Sequence, residues 1–173
     1  MSFTQNDSTS RVYAPGYFLA SEICERKTRT ISATAASVKT ASNGGKYVPG
    51  GSVYPGNDST AEGIVYEDVD VTTGDMPGSV VLKGTVYENR LSEAGDTYSS
   101  ATVPTGGNPK ELGLYERSGS SPNYVYTLTT DTTAVSGKTY YSYDGKRIDF
   151  SAKTALEAKG FVFETEPTVT RPE

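Results

Sequence analysis

Apolar and polar positions alternate most regularly between Gly63 and Leu91, GIVYEDVDVTTGDMPGSVVLKGTVYENRL, and the pattern predicts two β-strands joined by a turn. In the first, Ile64 to Val71, β-branched residues dominate and Val65, Val69 and Val71 share one parity. Its alternation is interrupted at Tyr66 to Asp68, which points to a bulge or a change of face there. In the second, Ser79 to Glu88, the same parity places Val80, Leu82 and Val86 on one face, with Lys83 and Thr85 on the other. Between them Thr72 to Gly78 holds two glycines and a proline, which cannot donate within a central strand, so it reads as the turn.

On the N-terminal side, short β-runs at Lys46-Tyr47-Val48 and Ser52-Val53-Tyr54 lie between turns at Asn43-Gly44-Gly45, Pro49-Gly50-Gly51 and Pro55-Gly56-Asn57-Asp58. Thr30 to Val38, small and β-tolerant, predicts another strand. Residues 1–28 read as an extended polar arm carrying one apolar patch, with Val12, Tyr13, Tyr17 and Phe18 as its contact residues and a single helical turn over Ser21 to Arg29. On the C-terminal side the composition shifts. Residues 93–107 are Ser-, Thr- and Gly-rich with little periodicity and predict a linker. Residues 108–143 predict an inserted three-stranded β module, in which Tyr124, Tyr126 and Leu128 alternate as on a half-buried strand. Ser151 to Gly160 predicts a helix, with Ser151 capping its free amides and Gly160 ending it; Phe161-Val162-Phe163 predicts a buried strand. The expected architecture is mostly β: a small barrel or sandwich with one short C-terminal helix, formed by residues 29–92 plus 146–166, split by the module and followed by a tail at 167–173.

Two stretches carry a resemblance. Lys46-Tyr47-Val48-Pro49-Gly50-Gly51-Ser52-Val53-Tyr54-Pro55-Gly56-Asn57-Asp58 and Ala61-Glu62-Gly63-Ile64-Val65 resemble the head fibre and head decoration proteins of tailed bacteriophages. Asp68 to Asp75 and Val86-Tyr87-Glu88-Asn89-Arg90-Leu91 are similar to the same family, and Ala155 to Phe163 more weakly so. The resemblance implies a structural protein on the outer surface of a virion, made in the bacterial cytoplasm, with the major capsid protein and its own copies as partners, commonly as a trimer. In that family a short helix and strand follow soon after the region of Asn89-Arg90-Leu91. Here they come some sixty positions later, which fits an insertion.

Composition narrows the picture. Of 173 residues only 35% are apolar, while 18 glycines and nine prolines fit short strands with many turns. A chain so composed is expected to complete its burial against neighbours, although an extended linker protein has the same composition. The net charge of −5 argues against nucleic acid as a partner, since binding phosphates needs clustered Lys and Arg. The N-terminal sequence has no basic start or apolar run, so no secretory signal is expected, and no segment approaches the ~20 apolar residues of a membrane span.

No histidine is present, so neither a Ser-His-Asp nor a Cys-His arrangement can form. The single cysteine, Cys24, has no histidine to activate it and is expected to be inert. Asp68 and Asp70 share one strand face and could hold a cation, but the order of residues around them misses a calcium loop, and solvated carboxylates are the expectation. Gly44-Gly45-Lys46 lacks the upstream glycine of a phosphate loop. No enzyme and no cofactor are expected. There remain the tyrosines of the module, six of the chain's thirteen. They either fill the core of a very small fold or form a surface for a partner protein or host-surface glycan, with Tyr115, Tyr124, Tyr126 and Tyr140 as its candidate residues. The second use would make the chain a carbohydrate-binding or adhesion module.

Overall fold

A computed structural model describes residues 15–164. They form a mostly β protein with one short helix near the C-terminal end, and none of their sheets closes into a barrel. The chain separates into two compact units: Gly95–Lys146, and the residues on either side of it.

The flanking unit is built around one strand. β7 (Met76–Tyr87) pairs antiparallel with β1 (Leu19–Ile31) and β5 (Gly63–Val65), and β5 in turn with β4 (Val53–Tyr54). The C-terminal strand β12 (Val162–Glu164) joins β7 in parallel, Phe163 opposite Val86. A second small sheet holds β2 (Lys39–Thr40), β3 (Lys46–Val48) and β6 (Val69–Asp70). At Val80 and Val81 both faces of β7 are buried. Val80 packs with Ile31, Val48, Val65, Val69 and Val71, whereas Val81 and Val86 pack with Phe18, Ile64, Leu91, Leu156 and Phe161.

A bulge explains why Val80 and Val86 part company despite their common parity. Glu25 pairs Lys83 and Arg26 pairs Val81, so Leu82 is one extra residue on β7 and shifts the alternation by one. The same-face expectation holds for Val80 and Leu82, which pack in one cluster, and is corrected for Val86, which packs in the other.

Other expectations change for similar tertiary reasons. Ser21 to Arg29 is not a helical turn, and residues 19–28 are not an arm: they belong to β1, whose polar side chains suit an edge strand with β7 on one side. The strand expected over Thr30 to Val38 ends at Ile31. Beyond it Ser32 and Asp75 side chains take up backbone amides at Thr34 and Ala33, an alternative to a sheet ladder. The single strand expected over Ile64 to Val71 is two, β5 and β6, in different sheets. The interruption at Tyr66 to Asp68 is where the chain crosses, Gly16 donating to the Tyr66 carbonyl and Gly50 to the Asp68 carboxylate. Met76, Pro77 and Gly78 start β7 rather than end the turn.

The helix α1 (Phe150–Ala158) starts one residue early, because Asp149 and not Ser151 caps it: the Asp149 carboxylate accepts from the Ser151 amide at 2.8 Å. The Ser151 hydroxyl, which also donates to it, and then the Ser151 amide hold the Asp149 carboxyl below its ordinary range. The C-terminal stop is as expected. Gly160, at φ 94°, donates to Glu157 and Phe161 donates to Leu156, with Phe161 and Leu156 both in the core.

The inserted unit is a four-stranded sheet in the order β10-β9-β11-β8, from β8 (Gly95–Ala101), β9 (Tyr115–Ser120), β10 (Asn123–Leu128) and β11 (Tyr140–Arg147). The linker expected at 93–107 is therefore corrected: its first half is the edge strand β8, whose Thr97 hydroxyl donates to the Gly145 carbonyl at 2.7 Å. With β8 and β11 adjacent, the two ends of the inserted unit lie side by side.

Candidate recognition surface

Of the four N-terminal contact residues, Val12 and Tyr13 lie outside the described residues. Phe18 is fully buried in its own core and is corrected as a surface residue. An aromatic side chain flanked by β1 and β7 is worth more to the fold than to a partner. Tyr17 is half-buried, edge-on to Phe18, its hydroxyl donating to the Gly50 carbonyl at 3.4 Å and its own carbonyl accepting from Arg90 at 2.7 Å.

The tyrosines of the inserted unit divide between the two faces of its sheet. The register pairs Tyr126 with Arg117, Tyr124 with Gly119 and Tyr141 with Tyr115, so these residues share one face. Tyr98, from β8, stacks on Tyr126, from the opposite edge strand, with centroids 4.0 Å apart and planes 6° from parallel. Edge strands can meet in this way only if the sheet curls, with the rings filling its concave side. Tyr115 and Tyr143 pack on Tyr98 at 5.0 and 5.4 Å, and Tyr141 stands edge-on to Tyr126 at 5.3 Å. Burial among these rings pushes the Tyr98 and Tyr143 phenols above their ordinary value. At the hairpin end the Arg117 guanidinium lies 4.3 Å over Tyr124 and 5.0 Å from the Tyr141 ring centre.

Tyr140 points the other way and is corrected as a surface candidate. It is buried, and its hydroxyl donates to Asp131 at 2.6 Å while accepting from the Val135 amide. Lys138 bridges Asp131 and Glu116 at 2.7 and 2.9 Å, and the Thr129 hydroxyl donates to Glu116. Lys138 first and then Tyr140 hold the Asp131 carboxyl below its ordinary value; Thr129 first and then Lys138 do the same for Glu116. The two carboxylates in return raise the Lys138 ammonium well above its usual range. This face is a closed polar network that fastens the chain between β10 and β11.

Other residues with candidate chemistry have structural partners. The Asp70 carboxylate accepts from the Thr72 amide at 2.8 Å, and the Thr72 hydroxyl first and then this amide hold its carboxyl below the ordinary value. Cys24 is half-buried opposite Gly84. Among the described residues no group of three or more His, Cys, Asp or Glu is placed to hold a metal ion. The motif glycines are packing devices: a Cβ on Gly63 would stand 2.3 Å from the Val81 carbonyl, and Gly51 sits at φ 81°. Reading the sequence alone misses Tyr98, hidden in apparent low complexity, although Thr97-Tyr98 among small polar residues is itself a β signal. It also misses Arg117, whose partners are set by cross-strand register. Neither a family model, nor a curated protein, nor a solved structure matches the chain.

Proposed function

We propose that the chain is a structural protein of a tailed-phage virion, attached to the outer surface of the capsid through the flanking unit and displaying the inserted sheet. The observation that carries this reading is the resemblance over Lys46 to Leu91. That stretch supplies β3 to β7 and the 3-10 turn Glu88–Arg90, while the weaker segment, Ala155 to Phe163, supplies the C-terminal end of α1 and part of β12. All of it falls within the flanking unit, and the inserted sheet falls outside it. The resemblance thus marks one compact piece of chemistry, in which motif glycines and valines build a core.

The mechanism is binding. Apolar burial and backbone pairing against the major capsid protein and sister subunits would stabilise the shell, with a homotrimer as the assembly unit. Neither nucleic acid nor a membrane is a partner in this reading. The test is to add purified chain to capsids that lack it and to count bound copies. Saturable, stoichiometric binding to the outer surface is expected, together with a trimer in sedimentation. A chain that stays in the supernatant at every capsid concentration would sink the reading.

A further inference from the structure

We propose that the hairpin end of the tyrosine face, Arg117 with Tyr124, binds an acidic saccharide, the carboxylate of a uronic-acid residue accepting from the Arg117 guanidinium while the sugar ring lies against Tyr124. Three observations converge on it. First, Arg117 is exposed, and among the described residues no hydrogen bond or ion pair engages it. The acidic side chains of the same sheet are committed elsewhere: Glu116 and Asp131 to Lys138, Asp144 to Ser99, Asp96 to Tyr143. Second, the guanidinium lies 4.3 Å over the Tyr124 ring centre and 5.0 Å from that of Tyr141. With no hydrogen bond or ion pair on it among the described residues, its N–H fork is free to match a carboxylate bidentately. Third, the position across from Tyr124 is Gly119, on the same face as Arg117. It has no side chain and cannot gain one, since a Cβ there would stand 2.5 Å from the Asn123 carbonyl and φ is 85°. No side chain therefore stands across from Tyr124, whose ring is 39% exposed beside the guanidinium.

A pyranose carrying a carboxylate fits these elements together, offering an apolar C–H face to the ring and one charge to the fork. An acidic peptide fits less well, because the face offers one fork and not a row of donors. The inserted unit holds four basic against five acidic residues, so attraction must be local to Arg117 and not a property of the whole sheet. The inference stands on the inserted unit alone and goes beyond the capsid reading, which has its own assay.

The experiment titrates the free full-length chain with a trimer of galacturonic acid, a neutral galactose trimer and triglutamate, following binding by calorimetry. Galacturonate is expected to bind about tenfold or more tightly than either competitor, as one charge-assisted bidentate contact allows. Arg117→Gln and Arg117→Lys should each lose about tenfold for galacturonate, with the near-ultraviolet dichroism of the stacked tyrosines unchanged. Lysine keeps the charge but not the fork. Equal binding of the acidic and neutral trimers, tighter binding of triglutamate, or no binding of galacturonate at millimolar concentration would each overturn the proposal, and none of these readings depends on a variant.

Discussion

At the scale of single residues, the tyrosines of the inserted unit are not equivalent, and the physical reason is what each ring touches. Tyr126 is stacked on Tyr98 and edge-on to Tyr141, so Tyr126→Ala should destabilise the unit by about 3–5 kcal/mol, the cost of truncating a packed aromatic. Tyr124→Ala removes a 39% exposed ring at the sheet's end and should cost under about 1 kcal/mol. Chemical denaturation followed by tyrosine dichroism compares the two; equal losses would mean that the rings are not organised as described. The Asp131–Glu116–Lys138 network gives an acid response with a definite sign. Both carboxyls titrate below their ordinary 3.8 and 4.5, so their contribution is complete above those values and is lost as pH falls through the lower folded-state values. Thermal melts from pH 5 to pH 2 should therefore fall more steeply for the native chain than for Asp131→Asn with Glu116→Gln. Parallel curves would exclude that role. Glu93 behaves oppositely. Burial raises its carboxyl, partly offset by the bond from the Val53 amide and by Lys39, so its contribution declines as pH rises above the ordinary glutamate value. Glu93→Gln should gain stability relative to the native chain at pH 8 compared with pH 4.

At the scale of elements, the flanking unit closes where α1 meets the end of β7. Glu88 is buried there, accepting from Lys153 at 2.6 Å and from the Ile148 amide at 3.3 Å. Lys153→Met leaves that carboxylate buried without its cation and should cost about 3 kcal/mol, while adding Glu88→Gln should restore part of the loss. Denaturant titrations giving the single and double variants the same stability would refute the coupling. The pair also explains why a nine-residue helix persists: Ala152 and Leu156 alone bury one narrow stripe, and the ion pair and the stop at Gly160 fix its two ends.

At the scale of the whole molecule, the two units differ in how the chain enters them. Because β8 and β11 are neighbours, replacing Gly95–Lys146 by a short Gly-Ser linker joins points already close together. The flanking unit should then fold and, in the capsid reading, still attach. Removing only 108–143 should instead fail, since it takes β9, β10 and the first half of β11 from the sheet and strips Tyr98 of the rings it packs on. Soluble expression and circular dichroism of the two deletions distinguish the cases; a well-folded 108–143 deletion would mean that β8 does not belong to the inserted sheet.

Sequence alone determined what depends on local chemistry. β-Branched residues predict strand backbone at β5, β6 and most of β7, the glycines and prolines predict most of the turns, and Gly160 predicts the helix stop. What only the tertiary structure decided is pairing. The polar residues 19–28 are a strand because β7 offers an edge. Leu82 is an extra residue only relative to β1, and through it Val80 and Val86 fall into different cores. Tyr98 joins the rings because β8 completes a curled sheet, while Tyr140, one residue from Tyr141, turns to the opposite face. Arg117 is a candidate ligand group only because register sets it beside Tyr124 and across from no carboxylate. A side chain's neighbours across a sheet lie far away in sequence, and alternation fixes its face but not its partner.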